Sequence, residues 1–257
     1  MHTVANQMRQ PGAYCLAAPA GESAQAAREI VGEVYARACR FDFEAPGFCL
    51  ISMDKDTDSR GMRRFMVALK IELQHMHRAR TGREMCYLSA GRFDQQVTTK
   101  LHRDGAPVES LLMLGYEPSG IESEVILADY AKCAFDMGIT PDEFMEKHNP
   151  MFTSGEKHLL EYSTKVECFS NRIHQVLLIN NSAAPYTPAG KSMQGVLHTA
   201  RILNPDDTQR RVINSTMIGV YDPGHPEPVL PNELAEYVST SAVQRRGNDK
   251  GYLKDDE

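Results

Sequence analysis

The chain has 257 residues, with 34 acidic and 28 basic side chains and a formal net charge of −6. That length accommodates a sizeable core, and the mild acidity gives no electrostatic reason to expect nucleic acid or an anionic membrane as a partner. No run approaches the roughly 18 apolar residues of a membrane span, and the N-terminus lacks the basic start and apolar stretch of a signal peptide, so a cytoplasmic protein is expected.

No internal repeat or low-complexity block interrupts the chain, which reads as a single domain over residues 1–257. Residues 1–20 and 245–257 read as loose ends. From Ser23 to about Arg40, Ala27, Ile30, Val31, Val34 and Ala38 recur at helical spacing. "GFCLISMD" (47–54) follows as a strand. A second helix is predicted from about Ser59 to Arg80, because Met62, Phe65, Met66, Leu69, Leu73 and Met76 fall on one stripe. His75 and His77 lie two apart on this helix, on different faces, and both are expected to be exposed. The first helices and strands thus occupy 21–84.

Residues 85–221 then turn β-rich. "EMCYLSA", "QQVTTKLH" (95–102) and "SLLMLGYEP" (110–118) read as strands, and about 125–170 reads as a helical insertion. Within it, "TPDE" (140–143) and "TSGE" (153–156) each carry the residues of a capping box. "HQVLLINN" (174–181), "GVLHTARIL" (195–203) and "RRVINSTMIGVY" (210–221) read as strands, and 222–257 as a C-terminal extension. The six cysteines (Cys15, Cys39, Cys49, Cys86, Cys133 and Cys168) form no CxxC pair, which argues against a zinc ribbon or a thioredoxin-like motif. They are expected to be buried free thiols. Helices first, then strands around a helical insertion, predict a mainly β protein of α+β type, a barrel or sandwich backed by helices.

The chemistry centres on "KLHRDGAPV" (100–108). In an extended strand His102 and Asp104 point to one face, which is too few ligands for a catalytic metal. A third is needed from another strand. His198, centred in "GVLHTARIL", is the best candidate: His174 opens a strand, His225 sits among prolines, and His148 and His158 lie in or beside helices. Two histidines and a carboxylate form a facial triad that leaves three adjacent positions open on Fe(II). Arg210 and Arg211 begin the next strand, where a guanidinium can grip a carboxylate. Alternation decides between them. With Arg210 inward, Val212, Asn214 and Thr216 share its face while Ile213 and Met217 pack on the helices; this puts polar groups at the site and favours Arg210. Lys100 shares the face of His102 and could reach an anionic ligand but is expected to point outward to water, and Tyr116 and Asn180 could line the pocket but are expected to be core or rim residues.

On "HRD" as an H-x-D motif, "GVLH" as a distal histidine and a cation at the next strand, residues 85–221 resemble the Fe(II)/2-oxoglutarate-dependent oxygenases. The resemblance implies a double-stranded β-helix (jelly-roll, cupin-like) core. It also implies His102, Asp104 and His198 on Fe(II), an arginine on the far carboxylate of 2-oxoglutarate, and O2 as oxidant. Succinate and CO2 would be released, with hydroxylation of a small-molecule or peptide substrate as the expected outcome. A cupin-like metalloenzyme that uses no oxo acid would use the same three ligands but has no need of the arginine pair, and a binding barrel would keep the fold without catalysis and would consume no 2-oxoglutarate.

Overall fold

The computed structural model describes residues 10–188 and 192–245. The chain forms α1 (Pro11–Tyr14), β1 (Cys15–Ala17), α2 (Ser23–Ala38), β2 (Phe48–Ser52), α3 (Ser59–Thr81), β3 (Glu84–Asp94), β4 (Ser110–Tyr116) and β5 (Ser123–Ala128). The sequence continues through α4 (Tyr130–Asp136), α5 (Pro141–His148), α6 (Glu156–Leu159), β6 (Ser163–Lys165), β7 (Gln175–Asn180), β8 (Leu197–Ile202), β9 (Val212–Tyr221), α7 (Pro231–Ser239) and β10 (Gln244–Arg245). It is a mixed α+β architecture in two sheets. One has the order β1-β2-β7-β4-β9-β3-β10, antiparallel except at its two edge pairs, and the other runs β6-β5-β8, antiparallel throughout.

Side-chain alternation along the central strands explains their unbroken apolar runs, because both faces of the larger sheet are covered. In β4, Leu111 and Met113 join the core under α2 and α3, whereas Leu112, Leu114 and Tyr116 join the core between the sheets. In β7, Val176 and Leu178 face the helices while Leu177 and Ile179 face the second sheet. The layers are therefore helices, the larger sheet and the smaller sheet. A third cluster joins α4, α5 and α6 to Leu101, Ala128 and Leu197 beside the smaller sheet.

Helix α3 follows its apolar stripe. Asp58 caps it by accepting a hydrogen bond from the Gly61 amide, and Gly82 ends it in the left-handed region that glycine adopts without strain. His75 is exposed, but His77 is buried, contrary to the expectation for it. The reason is periodicity: His77 lies four residues after Leu73 and continues the core stripe, where the Tyr35 hydroxyl meets its Nδ1 at 2.9 Å.

Other expectations are corrected as well. Residues 11–17 are not loose: β1 pairs parallel with β2, and Tyr14 is fully buried against Phe48. Cys15 and Cys168 form a disulfide that ties this segment down, so only Cys39, Cys49, Cys86 and Cys133 are buried free thiols. Helices α4 to α6 occupy only part of 125–170, since β5 and β6 flank them. The capping box at Thr140 forms with both of its bonds. The one at 153–156 does not, because Thr153 bonds to the Gly155 amide and the Asn149 carbonyl instead. Residues 95–102 form no regular strand, only an isolated bridge at His102. Among the described residues, no helix is long and apolar enough to cross a membrane.

Burial, and secondarily the charge of Arg83, push the pKa of His77 down to about 4. Between its unfolded value of about 6.5 and that folded value, the unfolded chain takes up a proton that the folded chain refuses, so stability falls as pH falls through this window. We expect His77 to account for about 2 kcal/mol of the stability lost between pH 7 and pH 5. Urea denaturation at both pH values should show that much of the loss abolished in His77→Leu.

Candidate metal centre

The segment carrying His102 lies antiparallel to β8 without becoming a full strand. The His102 amide donates to the His198 carbonyl at 3.0 Å, and the His198 amide donates back to the His102 carbonyl at 2.9 Å. Upstream, the Thr99 amide donates to the Ala200 carbonyl, and the Thr99 and Thr199 hydroxyls meet at 3.3 Å. Residues that exchange both backbone bonds across an antiparallel pair have their side chains side by side on one face. The two imidazoles are accordingly neighbours, with ring centroids 4.3 Å apart. Their face is the inner one: across β5 and β8, His198 is paired with Leu127, which belongs to the core between the sheets.

Asp104, two residues past His102, completes the set. His102, Asp104 and His198 each offer one ligand atom, and these atoms all lie within 4.8 Å of one another. His102 Nε2 stands 3.4 Å from Asp104 Oδ1. Two donors each roughly 2.1 Å from a shared ion lie about 3.0 Å apart at a right angle and about 3.4 Å apart at the tetrahedral angle, so one ion can reach both. The outer contacts suit metal binding. His102 Nδ1 lies 2.7 Å from the Lys100 carbonyl oxygen; donating a proton there leaves the Nε2 lone pair for a metal. Among the described residues His198 Nδ1 is buried without a hydrogen-bond partner, an orphan that costs free energy unless a ligand satisfies it. Burial, and then the neighbouring His102, push the His198 pKa down to about 4, with Asp104 opposing. The imidazole is therefore neutral near pH 7, the form that ligates metals.

The three residues share a cleft of about 660 Å3, measured with its open mouth. Tyr116, Leu114, Leu177 and Ile213 of the larger sheet line it, and so does Arg211. The preference for Arg210 is thus overturned: Arg210 is exposed and lines a separate surface depression, whereas Arg211 is buried. Arg211 Nε donates to Ser123 Oγ at 3.0 Å and Nη1 to the Gln95 carbonyl at 3.1 Å, and the guanidinium stacks over the Tyr116 ring at 5.3 Å. Among the described residues its Nη2 is buried with no hydrogen-bond partner. Burial lowers the pKa of Arg211, opposed mainly by Tyr116.

The premise about polar faces failed because the helix-facing side of β9 is itself polar there. Asn214 is held within a buried cluster of Arg63, Arg92 and Glu117. Of the other candidates, Tyr116 lines the cleft, while Asn180 turns its amide to the Ala38 carbonyl and Lys100 donates to the Met151 carbonyl. Sequence reasoning missed Gln95, Thr99 and Ser123, which carried no readable signal, whereas Ser215 follows from strand alternation once Arg211 points inward.

Neither a protein-family model nor a curated protein matches the sequence. The donor set defines a candidate mononuclear metal centre of two imidazoles and one carboxylate. We expect His198→Ala and Asp104→Ala each to weaken Co(II) binding by more than the ten- to hundredfold typical of losing an outer-shell partner. Calorimetric titration checks this, with exposed His75→Ala expected to bind as wild type does.

Proposed function

We propose that the chain is an Fe(II)- and 2-oxoglutarate-dependent dioxygenase that hydroxylates a C–H bond of a small-molecule or peptide substrate, and that its two sheets are the walls of a double-stranded β-helix. The observation that carries this reading is Arg211, a buried cation in the same cleft as the triad whose Nη2 has no hydrogen-bond partner among the described residues. A metal site alone does not need such a group.

In this reading His102, Asp104 and His198 would hold the iron, and all three line the cleft where the substrate would enter. Bound Fe(II), with 2-oxoglutarate and O2, supplies the oxidising power for hydroxylation, with release of succinate and CO2. Arg211 grips the far carboxylate of the oxo acid. Because Ser123 and the Gln95 carbonyl already hold two of its nitrogens and Tyr116 supports its flat face, the guanidinium is oriented before the ligand arrives. A buried guanidinium with an open donor also gains more from an anion than an exposed one would. The apolar side chains of Leu114, Val125, Leu177 and Ile213 line the same cleft and lower the polarity around this contact.

Two measurements test the reading. Anaerobic addition of Fe(II) and 2-oxoglutarate should produce a weak visible charge-transfer band, and admission of oxygen should yield succinate. Arg211→Gln should raise the 2-oxoglutarate concentration for half-saturation about ten- to a hundredfold, equivalent to about 1.5–3 kcal/mol, while Arg210→Gln should leave it unchanged. A bound metal with no response to 2-oxoglutarate in either assay would favour a cupin-like metalloenzyme, and absence of any turnover a binding barrel.

A further inference from the structure

Asp104 sits on a stretch, 103–107, that belongs to no strand, and its side chain is 40% exposed. A metal-ligating carboxylate nevertheless has to be held closely in place. Asn181, directly after β7, supplies the restraint. It is fully buried, its Oδ1 accepts from the Asp104 amide at 3.0 Å, and its Nδ2 donates to the Asp104 carbonyl at 3.1 Å. One side chain thus engages both backbone groups of a single residue, as a neighbouring strand would.

Asn181 is itself anchored to the larger sheet. Its Nδ2 also donates to Ser110 Oγ, and its amide donates to the Ser110 carbonyl at 2.9 Å. The Asn181 carbonyl accepts from Arg103 Nε at 2.6 Å, and Arg103 Nη2 donates to the carbonyls of Ala106 and Pro107. Arg103 therefore clips the loop onto Asn181 while the ligands on either side of it face the cleft. The preceding amide, Asn180, is equally buried but engages the Ala38 carbonyl and the Ser182 amide, away from the ligands.

We infer that Asn181 is the positioning residue for Asp104, transmitting the rigidity of the larger sheet to the carboxylate of the metal centre. The inference rests on the metal-centre reading above. Its consequence is that removing the Asn181 amide loosens the metal beyond what lost stability explains.

The test uses the full chain and Co(II), whose visible spectrum reports ligand geometry. Asn181→Ala should weaken Co(II) binding about ten- to a hundredfold and alter the spectrum. Asn180→Ala should lower the melting temperature by a comparable amount and keep wild-type affinity and spectrum. If Asn181→Ala does not fold, Arg103→Met carries the test and should weaken Co(II) in the same direction. Wild-type affinity and spectrum in the folded Asn181→Ala chain, or in Arg103→Met where that variant stands in, would overturn the positioning role alone, as would equal loosening by Asn180→Ala. Failure of the unmodified protein to bind Co(II) would overturn the metal centre and this role with it.

Discussion

Asn214 decides which way β9 faces. Its side-chain oxygen accepts from Arg63 at 3.2 Å and from Arg92 at 3.0 Å, and its nitrogen donates to Glu117 at 2.9 Å. The same carboxylate takes Arg92 at 2.7 Å and the Ser59 hydroxyl at 2.5 Å, and the two guanidiniums reach on to the carbonyls of Val238, Thr240 and Ala242. Removing Asn214 from this cluster would leave buried polar atoms of Arg63, Arg92 and Glu117 each one partner short, at about 1–3 kcal/mol per unsatisfied group. Turning β9 over would do that. With Asn214 committed to the helix side, strand alternation sends Arg211, Ile213 and Ser215 into the cleft.

The buried arginines around the larger sheet are therefore held in two ways. Arg63 and Arg92 are enclosed by hydrogen bonds that close the fold around its C-terminal segment. Arg211 is just as buried and lines the cleft of the triad, but one of its nitrogens has no hydrogen-bond partner among the described residues. The first arrangement is complete within the protein, and the second is complementary to an anion. In the proposed reaction that anion also offsets the charge that Asp104 alone leaves on a divalent ion.

The histidines are joined by a different device. A single reciprocal backbone pair, at His102 and His198, sets two imidazoles on one face although regular strand structure is missing on the His102 side. Leaving this segment irregular lets the chain turn sharply enough for Asp104 to face the same point. The restraint that a ladder would have given comes from the Asn181 amide and the Arg103 clip.

Much of this was legible in the sequence. Short-range periodicity marked α2, α3 and the strands β2, β3, β4, β7, β8 and β9, the "TPDE" box marked the start of α5, and the H-x-D spacing with a histidine in a later strand pointed to three residues that the fold brings together. These features depend on neighbours a few residues apart, or on chemistry uncommon enough to stand out. The tertiary structure decided the rest: the face of β9, the burial of His77, the pairing of Cys15 with Cys168, and the holding of Asp104 by Asn181. Each depends on a partner far along the chain. A sequence pattern shows that a side chain is polar or apolar, but only the packed fold determines whether a buried polar side chain finds its partner on one face or the other.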